Sequence, residues 1–119
     1  MIIGSEGERF SLDDYRAMLE PAARRGVPAI CSNPDRIMLT PVGPRFGAGQ
    51  IGELYESLGG HVTWVGKPYP DMYRFAFRRI GEPGARIVAV GDSIEHDIAG
   101  GKAAGIATAF IRSGILADA

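Results

Sequence analysis

The 119-residue chain lacks an excess of either charge, a second cysteine and any long apolar run. Thirteen Lys and Arg stand against fourteen Asp and Glu, a net charge of −1 with an isoelectric point near 6.1. That balance argues against a non-specific nucleic-acid binder, which needs a basic surplus to displace counterions from phosphate. The pairs Arg24-Arg25 and Arg78-Arg79 each close a predicted helix, where cations complement the dipole. Cys31 has no partner for an internal disulfide and fits a reducing compartment, so the expected location is cytoplasmic. With no stretch of membrane-spanning length and no signal-peptide pattern at the start, neither a membrane nor secretion is expected. Seventeen glycines and eight prolines are many, yet they follow no period and stay short of a low-complexity composition. The length suits one small domain or two incomplete pieces.

What is present alternates between helical and extended patterns. Ser11-Leu12-Asp13-Asp14 has the form of a capping box, and Leu12, Tyr15, Leu19 and Ala22 follow at helical spacing until Gly26. Val27–Cys31 reads as a short buried strand. Residues 33–47 carry Pro34, Pro41, Gly43, Pro44 and Gly47, which predicts an interruption of regular structure. A second helix places Ile51, Leu54, Tyr55 and Leu58 on one side, and His61–Val65 follows as a strand. The spacing predicts a third helix near 70–80 that buries Met72, Phe75, Ala76 and Ile80. Arg86–Val90 is the clearest strand, a fourth helix runs to about Gly105, and Ile106–Ile111 is the last strand. Strands separated by helices imply right-handed crossovers and a mainly parallel sheet. Ligands of such sheets gather beyond the carboxyl ends of the strands. Ser32-Asn33-Pro34-Asp35, Lys67 and Asp92 each fall at such an end.

Two groups have chemistry to offer. In Gly91-Asp92-Ser93-Ile94-Glu95-His96-Asp97 a hydrophobic strand delivers Asp92 to the sheet edge, and Asp97 follows early in the next helix. Two carboxylates bordering one pocket suit a hard cation such as Mg²⁺, which takes a few carboxylates together with water and phosphate oxygens. The plainer alternative is a turn cap at Asp92 and a dipole partner at Asp97. Lys67, in Gly-Lys-Pro ahead of a helix, sets an ammonium beside unsatisfied backbone N–H groups, a combination that suits phosphate. Its alternative is a solvated surface lysine. His61 and His96 have no neighbours at zinc spacing. Ser93 and His96 lack the nucleophile elbow of a hydrolase. Gly100-Gly101 has no Walker ending and more simply permits close helix–sheet contact.

The run ICSNPDR, GQIGELYESLGG, GKPYPDMY and VGDSIEHDIAGGKAAGI resembles the haloacid dehalogenase superfamily of aspartyl-phosphate hydrolases. It is most similar to the class IIA branch, of p-nitrophenyl-phosphatase and sugar-phosphatase type. The resemblance spans about residues 27–115. It implies a three-layer α/β fold, Rossmann-like with a parallel sheet, here incomplete and joined to a partial α/β cap. On that basis residues 1–64 would be the C-terminal part of the cap and residues 65–119 the C-terminal half of the core. It further implies a Mg²⁺-dependent phosphatase acting on a small phosphorylated metabolite. Lys67 would hold the phosphoryl group and Asp92 would ligate Mg²⁺. Asp97 would orient a metal-bound water or the lysine. Asn33 and Asp35 match the Asn-Pro-Asp signature of the cap, where a structural turn and substrate choice are both open.

One departure weighs against activity of the chain by itself. The family's chemistry uses a nucleophilic Asp in an Asp-x-Asp-Gly motif, and none of Asp13, Asp14, Asp35, Asp71, Asp92, Asp97 and Asp118 stands in that spacing. Without an attacking group, the remaining charges assist but do not transfer phosphorus. The expectation is therefore the C-terminal portion of a longer enzyme, inactive alone and open to self-association or to a missing N-terminal segment. The competing reading is a non-catalytic module that binds a metal, a phosphate or another protein. A phospho-acceptor receiver domain is disfavoured, because Lys67 precedes Asp92.

Overall fold

Ser11 opens the first helix as its capping box predicts. In the computed structural model, which describes residues 1–82 and 85–113, Ser11 N–H donates to the Asp14 carboxylate at 2.8 Å and Asp14 N–H donates to Ser11 Oγ at 3.2 Å. Two of the helix's orphan donors are thereby satisfied. The chain divides into two compact units, Met1–Val65 and Gly66–Ala119.

The first unit contains α1 (Leu12–Arg24), β1 (Ala29–Cys31), β2 (Ile37–Thr40), β3 (Gly43–Phe46), α2 (Ala48–Ser57) and β4 (Val62–Trp64). β1 and β4 run parallel, with Ala29 opposite Val62 and Cys31 opposite Trp64. Ala29 N–H and Cys31 C=O bond towards β4, whereas Ile30 C=O and Ser32 N–H bond to Ile2. Successive backbone groups of a strand point to opposite edges, so Ile2 lies along the other edge of β1. The core is Ile2, Ala23, Cys31, Ala48, Ile51, Tyr55 and Val62, with Leu12, Tyr15, Leu19 and Trp64 packed against it. Tyr55, 2% exposed, donates its hydroxyl to the Val27 carbonyl at 2.6 Å. A buried phenol needs such an acceptor.

Residues 33–47 are more regular than their turn-formers predict. β2 and β3 form an antiparallel hairpin with Ile37 opposite Phe46 and Thr40 opposite Gly43. Gly43, at φ +107°, makes the turn, and Pro44 sits in a two-stranded ribbon where its missing N–H is tolerated.

The second unit contains α3 (Pro70–Ile80), β5 (Val88–Gly91), a π-helical turn (Ile94–Ile98), α4 (Ala99–Ala103) and β6 (Ala107–Phe110). Pro70 opens α3 with a preset φ, and Gly81 closes it in the left-handed region at φ +67°. β5 and β6 are parallel, with Val88 opposite Ala107 and Gly91 opposite Phe110. The architecture is thus mixed α/β with small parallel ladders, and the sheet is incomplete. Asp118 lies outside the described residues.

Two expectations for this unit are corrected. α3 buries Tyr73 and half-buries Phe77, while Met72, Phe75, Ala76 and Ile80 are exposed. The apolar stripe is where periodicity puts it, but the described residues of this unit leave it uncovered. The fourth helix is not one continuous α-helix. It begins with a wide turn in which Asp97 and Ile98 both donate to the Ser93 carbonyl, at 2.9 and 3.1 Å. A π turn of this kind carries one extra residue, shifting every later side chain round the axis.

Candidate functional site

The site is built from the ends of two segments in the second unit. Gly66, at φ +102°, reverses the chain so that Tyr69 N–H donates to its carbonyl at 2.7 Å. Lys67 projects from this bend, its peptide bond to Pro68 is cis, and its side chain is 41% exposed. Thirty residues later the π turn follows β5. Ser93 caps it by accepting His96 N–H at 3.2 Å and holds the His96 ring through a 2.9 Å Oγ–Nδ1 hydrogen bond.

Asp97 is the centre of the arrangement. At 4% exposed, it is the buried charged side chain among the described residues. The Lys67 ammonium donates to its Oδ1 as an ion pair, and Ser93 N–H donates to its Oδ2 at 3.1 Å. Burial works to raise the Asp97 pKa, but the Lys67 ammonium and the amides of Ser93 and Asp92 together outweigh it. The carboxyl is held below its ordinary value. Gly91 makes room for this: a Cβ there would fall on the Asp97 carboxyl group. Asp92 follows directly at the end of β5 and is half-buried.

The structure therefore brings Lys67, Asp92 and Asp97 into one unit and joins the first to the third directly. Asp97 engages both oxygens with protein donors, and Asp92 brings a second carboxylate to the same end of β5. Among the described residues no three His, Cys, Asp or Glu side chains converge on one point. The donor set thus fits Mg²⁺ only as part of a coordination shell, through a hard carboxylate oxygen at Asp92.

Asn33 and Asp35 belong to the first unit. Asn33 Oδ1 accepts Asp35 N–H at 3.3 Å, closing an Asx turn. The start of α2 ties this turn down: Gly47 and Gly49 donate their N–H groups to the carbonyls of Arg36 and Asp35, at 2.7 and 2.9 Å. Gln50 Nε2 also donates to the Arg36 carbonyl at 2.7 Å. Side chains at Gly47 or Gly49 would overlap the Asp35 and Pro34 carbonyls. Sequence reasoning misses the part these glycines play; their spacing to Asn-Pro-Asp is the available signal. It also misses Tyr73, which is buried; its spacing to Ala76, Phe77 and Ile80, at i+3, i+4 and i+7, is the signal that could have found it.

The family model described as haloacid dehalogenase-like hydrolase matches residues 2–105. Dihydroxyacetone phosphatase of Corynebacterium glutamicum (strain R) is 36% identical over 95 residues, covering 79% of this chain and 34% of that protein. A haloacid dehalogenase-like hydrolase from Brucella suis 1330 superposes with a TM-score of 0.78 at 29% identity, covering 94% of this chain and 45% of that one. Glycerol phosphate phosphatase Rv1692 from Mycobacterium tuberculosis, solved in complex with magnesium, gives a TM-score of 0.72 at 25% identity over 95% of this chain and 34% of that one. The chain spans less than half the length of each of these proteins. The match over nearly the whole chain, with phosphatases of class IIA type among its neighbours, makes this protein a member of the haloacid dehalogenase-like hydrolase family.

Proposed function

We propose that the second unit carries the phosphoryl-binding half of a phosphomonoester hydrolase. The observation that carries this reading is the Lys67–Asp97 ion pair beside the carboxyl end of β5, where Asp97 is buried and its negative charge is held by two amides as well as the lysine. A fixed ammonium at a strand end neutralises the charge that builds on phosphoryl oxygens. Asp97 acts on Lys67, holding and aiming its ammonium, and Asp92 is the Mg²⁺ ligand. When bound, Mg²⁺ supplies further neutralisation of the phosphoryl oxygens. The family resemblance and the Mg²⁺-bound relative support this assignment.

In the complete reaction a carboxylate oxygen forms a bond to phosphorus as the ester oxygen leaves and takes a proton. Water then attacks the acyl phosphate and releases inorganic phosphate with the carboxylate restored. That carboxylate has no counterpart here, since no two aspartates of this chain stand in Asp-x-Asp spacing. We assign it to polypeptide that the longer relatives have and this chain does not match, with residues 1–64 as cap and 65–119 as core half. Substrate is a small phosphorylated metabolite, and Asn33 and Asp35 belong to the cap's turn. The bare stripe of α3, with Phe75 61% exposed, and Val88 and Val90 on β5 support a reading in which further polypeptide or a second copy covers them. The same exposure favours, as a second reading, a binding module without hydrolytic activity.

The test is titration of the full chain with inorganic phosphate in the presence of Mg²⁺, followed by ³¹P NMR, beside an assay of p-nitrophenyl phosphate hydrolysis. Saturable binding that weakens about tenfold or more in Lys67→Ala and in Asp92→Asn, as loss of a charge-assisted contact implies, supports the half-site. Binding indifferent to both substitutions overturns it. Hydrolysis by the chain alone would overturn the assignment of the nucleophile to other polypeptide.

A further inference from the structure

The two glycines of α4, adjacent in sequence, face different neighbours. A Cβ at Gly101 would come within 2.7 Å of Thr108 Cγ2 and 2.9 Å of Ala89 Cβ, so Gly101 seats the helix on the β5–β6 ladder. The three atoms nearest to a Cβ at Gly100 belong to no strand. Such a Cβ would fall on the Tyr73 hydroxyl and reach 3.0 Å from the Pro68 Cα and 3.1 Å from Tyr73 Cε2. Gly100 is buried, and Pro68 is the residue bonded to Lys67. The backbone that launches the lysine therefore closes on α4 at Gly100, where there is no side chain in its way. Backbone has little freedom to yield at 3.0 Å, unlike the far end of a flexible side chain.

We propose that Gly100 is a positioning residue for Lys67: its missing side chain lets the Lys67–Pro68 bend and the Tyr73 ring close on α4, and that closure sets the ammonium on Asp97. The consequence for phosphate rests on the proposed function, whereas the positioning itself does not. Gly91 acts on the same pair from the other side, through Asp97.

The chain contains two lysines, Lys67 and Lys102, and Lys102 is exposed on the same helix as Gly100. Lys102 is thus an internal reference for competitive acylation of the full chain, with both sites quantified by mass spectrometry. In the wild type Lys67, paired and half-buried, should label about fivefold more slowly than Lys102, the upper range for a partly exposed ion pair. Gly100→Ala should bring the two rates together. Gly101→Ala meets Thr108 and Ala89 and not Pro68 or Tyr73, so it should change the Lys67 to Lys102 ratio less than Gly100→Ala does. Adding Tyr73→Phe to Gly100→Ala removes the hydroxyl and should restore part of the difference, a rescue that a general loss of stability would not give. A ratio unchanged in Gly100→Ala, or raised equally in Gly101→Ala, overturns the proposal. If Gly100→Ala is not folded by circular dichroism, the ratio is read in the double variant and in Tyr73→Ala, which opens the same contact without adding an atom. A wild-type ratio in Tyr73→Ala, or rates fully brought together in the double variant, would overturn it. Protection of wild-type Lys67 by added inorganic phosphate tests the proposed function separately, and its failure leaves the positioning result intact.

Discussion

The two units are held together by different means. Ile2, Ala23, Cys31, Ala48, Ile51, Tyr55 and Val62, all in the first unit, form an apolar core, whereas in the second the buried side chains among those described are Tyr73 and Asp97. Gly100 and Gly101 fill the remaining buried positions of the second unit on α4. An apolar core stabilises by removing surface from water, an effect with no preferred direction. A buried carboxylate stabilises only while its donors stay in place. The comparison teaches that the first unit is organised round an apolar core, while the second places charge at its centre; apolar side chains stay exposed in both, Leu39 and Val42 in the first and Phe75, Val88 and Val90 in the second.

The largest way to break this comparison is Tyr55→Ala. Loss of a buried aromatic ring costs about 3–5 kcal/mol, and the bond to Val27 goes with it. Urea unfolding followed by hydrogen exchange should show protection lost throughout β1, α2 and β4. If protection in those elements survives, the first unit does not depend on its core as described.

Asp97→Asn is next. The amide keeps the shape but loses the ion pair and the charge on its bonds to the Ser93 and Asp92 amides, hydrogen bonds of a class worth about 1.5–3 kcal/mol. Exchange should accelerate at β5 and the π turn and stay unchanged in α2. A uniform change in both units would contradict the division.

Ser11→Ala should cost about 1 kcal/mol, the usual value of an N-cap, read as faster exchange in the first turn of α1 alone.

Acid sharpens the contrast. Asp97 has a folded pKa below its ordinary value of 3.8, so its contribution is complete above that value and is lost as pH falls through the lower, folded one. Exchange protection at Ser93 and β5 should therefore decline below about pH 4, and the decline should be absent in Asp97→Asn. Asp14 is shifted in the same direction by its Ser11 bonds, but it is fully exposed and marks only a helix end.

Much of this was legible in sequence because it is local. The Ser11–Asp14 capping box needs four consecutive residues, and Pro70 and Gly81 bracket α3 by fixing φ at its two ends. The hairpin at 37–46 was hidden because its strands hold Pro44 and Gly43, residues that normally interrupt strands. Periodicity located the apolar stripe of α3 but could not say whether anything covered it. Lys67, Asp92 and Asp97 could be named as a set from their order, yet two acids five residues apart look alike to a lysine upstream.

The sequence by itself determined where helices start and stop and which charges fall at strand ends, because those depend on neighbours within a few residues. Only the tertiary structure decided that Lys67 meets Asp97, since that pairing spans thirty residues. It depends on a π turn that sets Asp97 against Gly91, and on glycines that let Pro68 and β5 approach α4. Steric room between distant segments is a property of packing, and no local pattern of residue types encodes it.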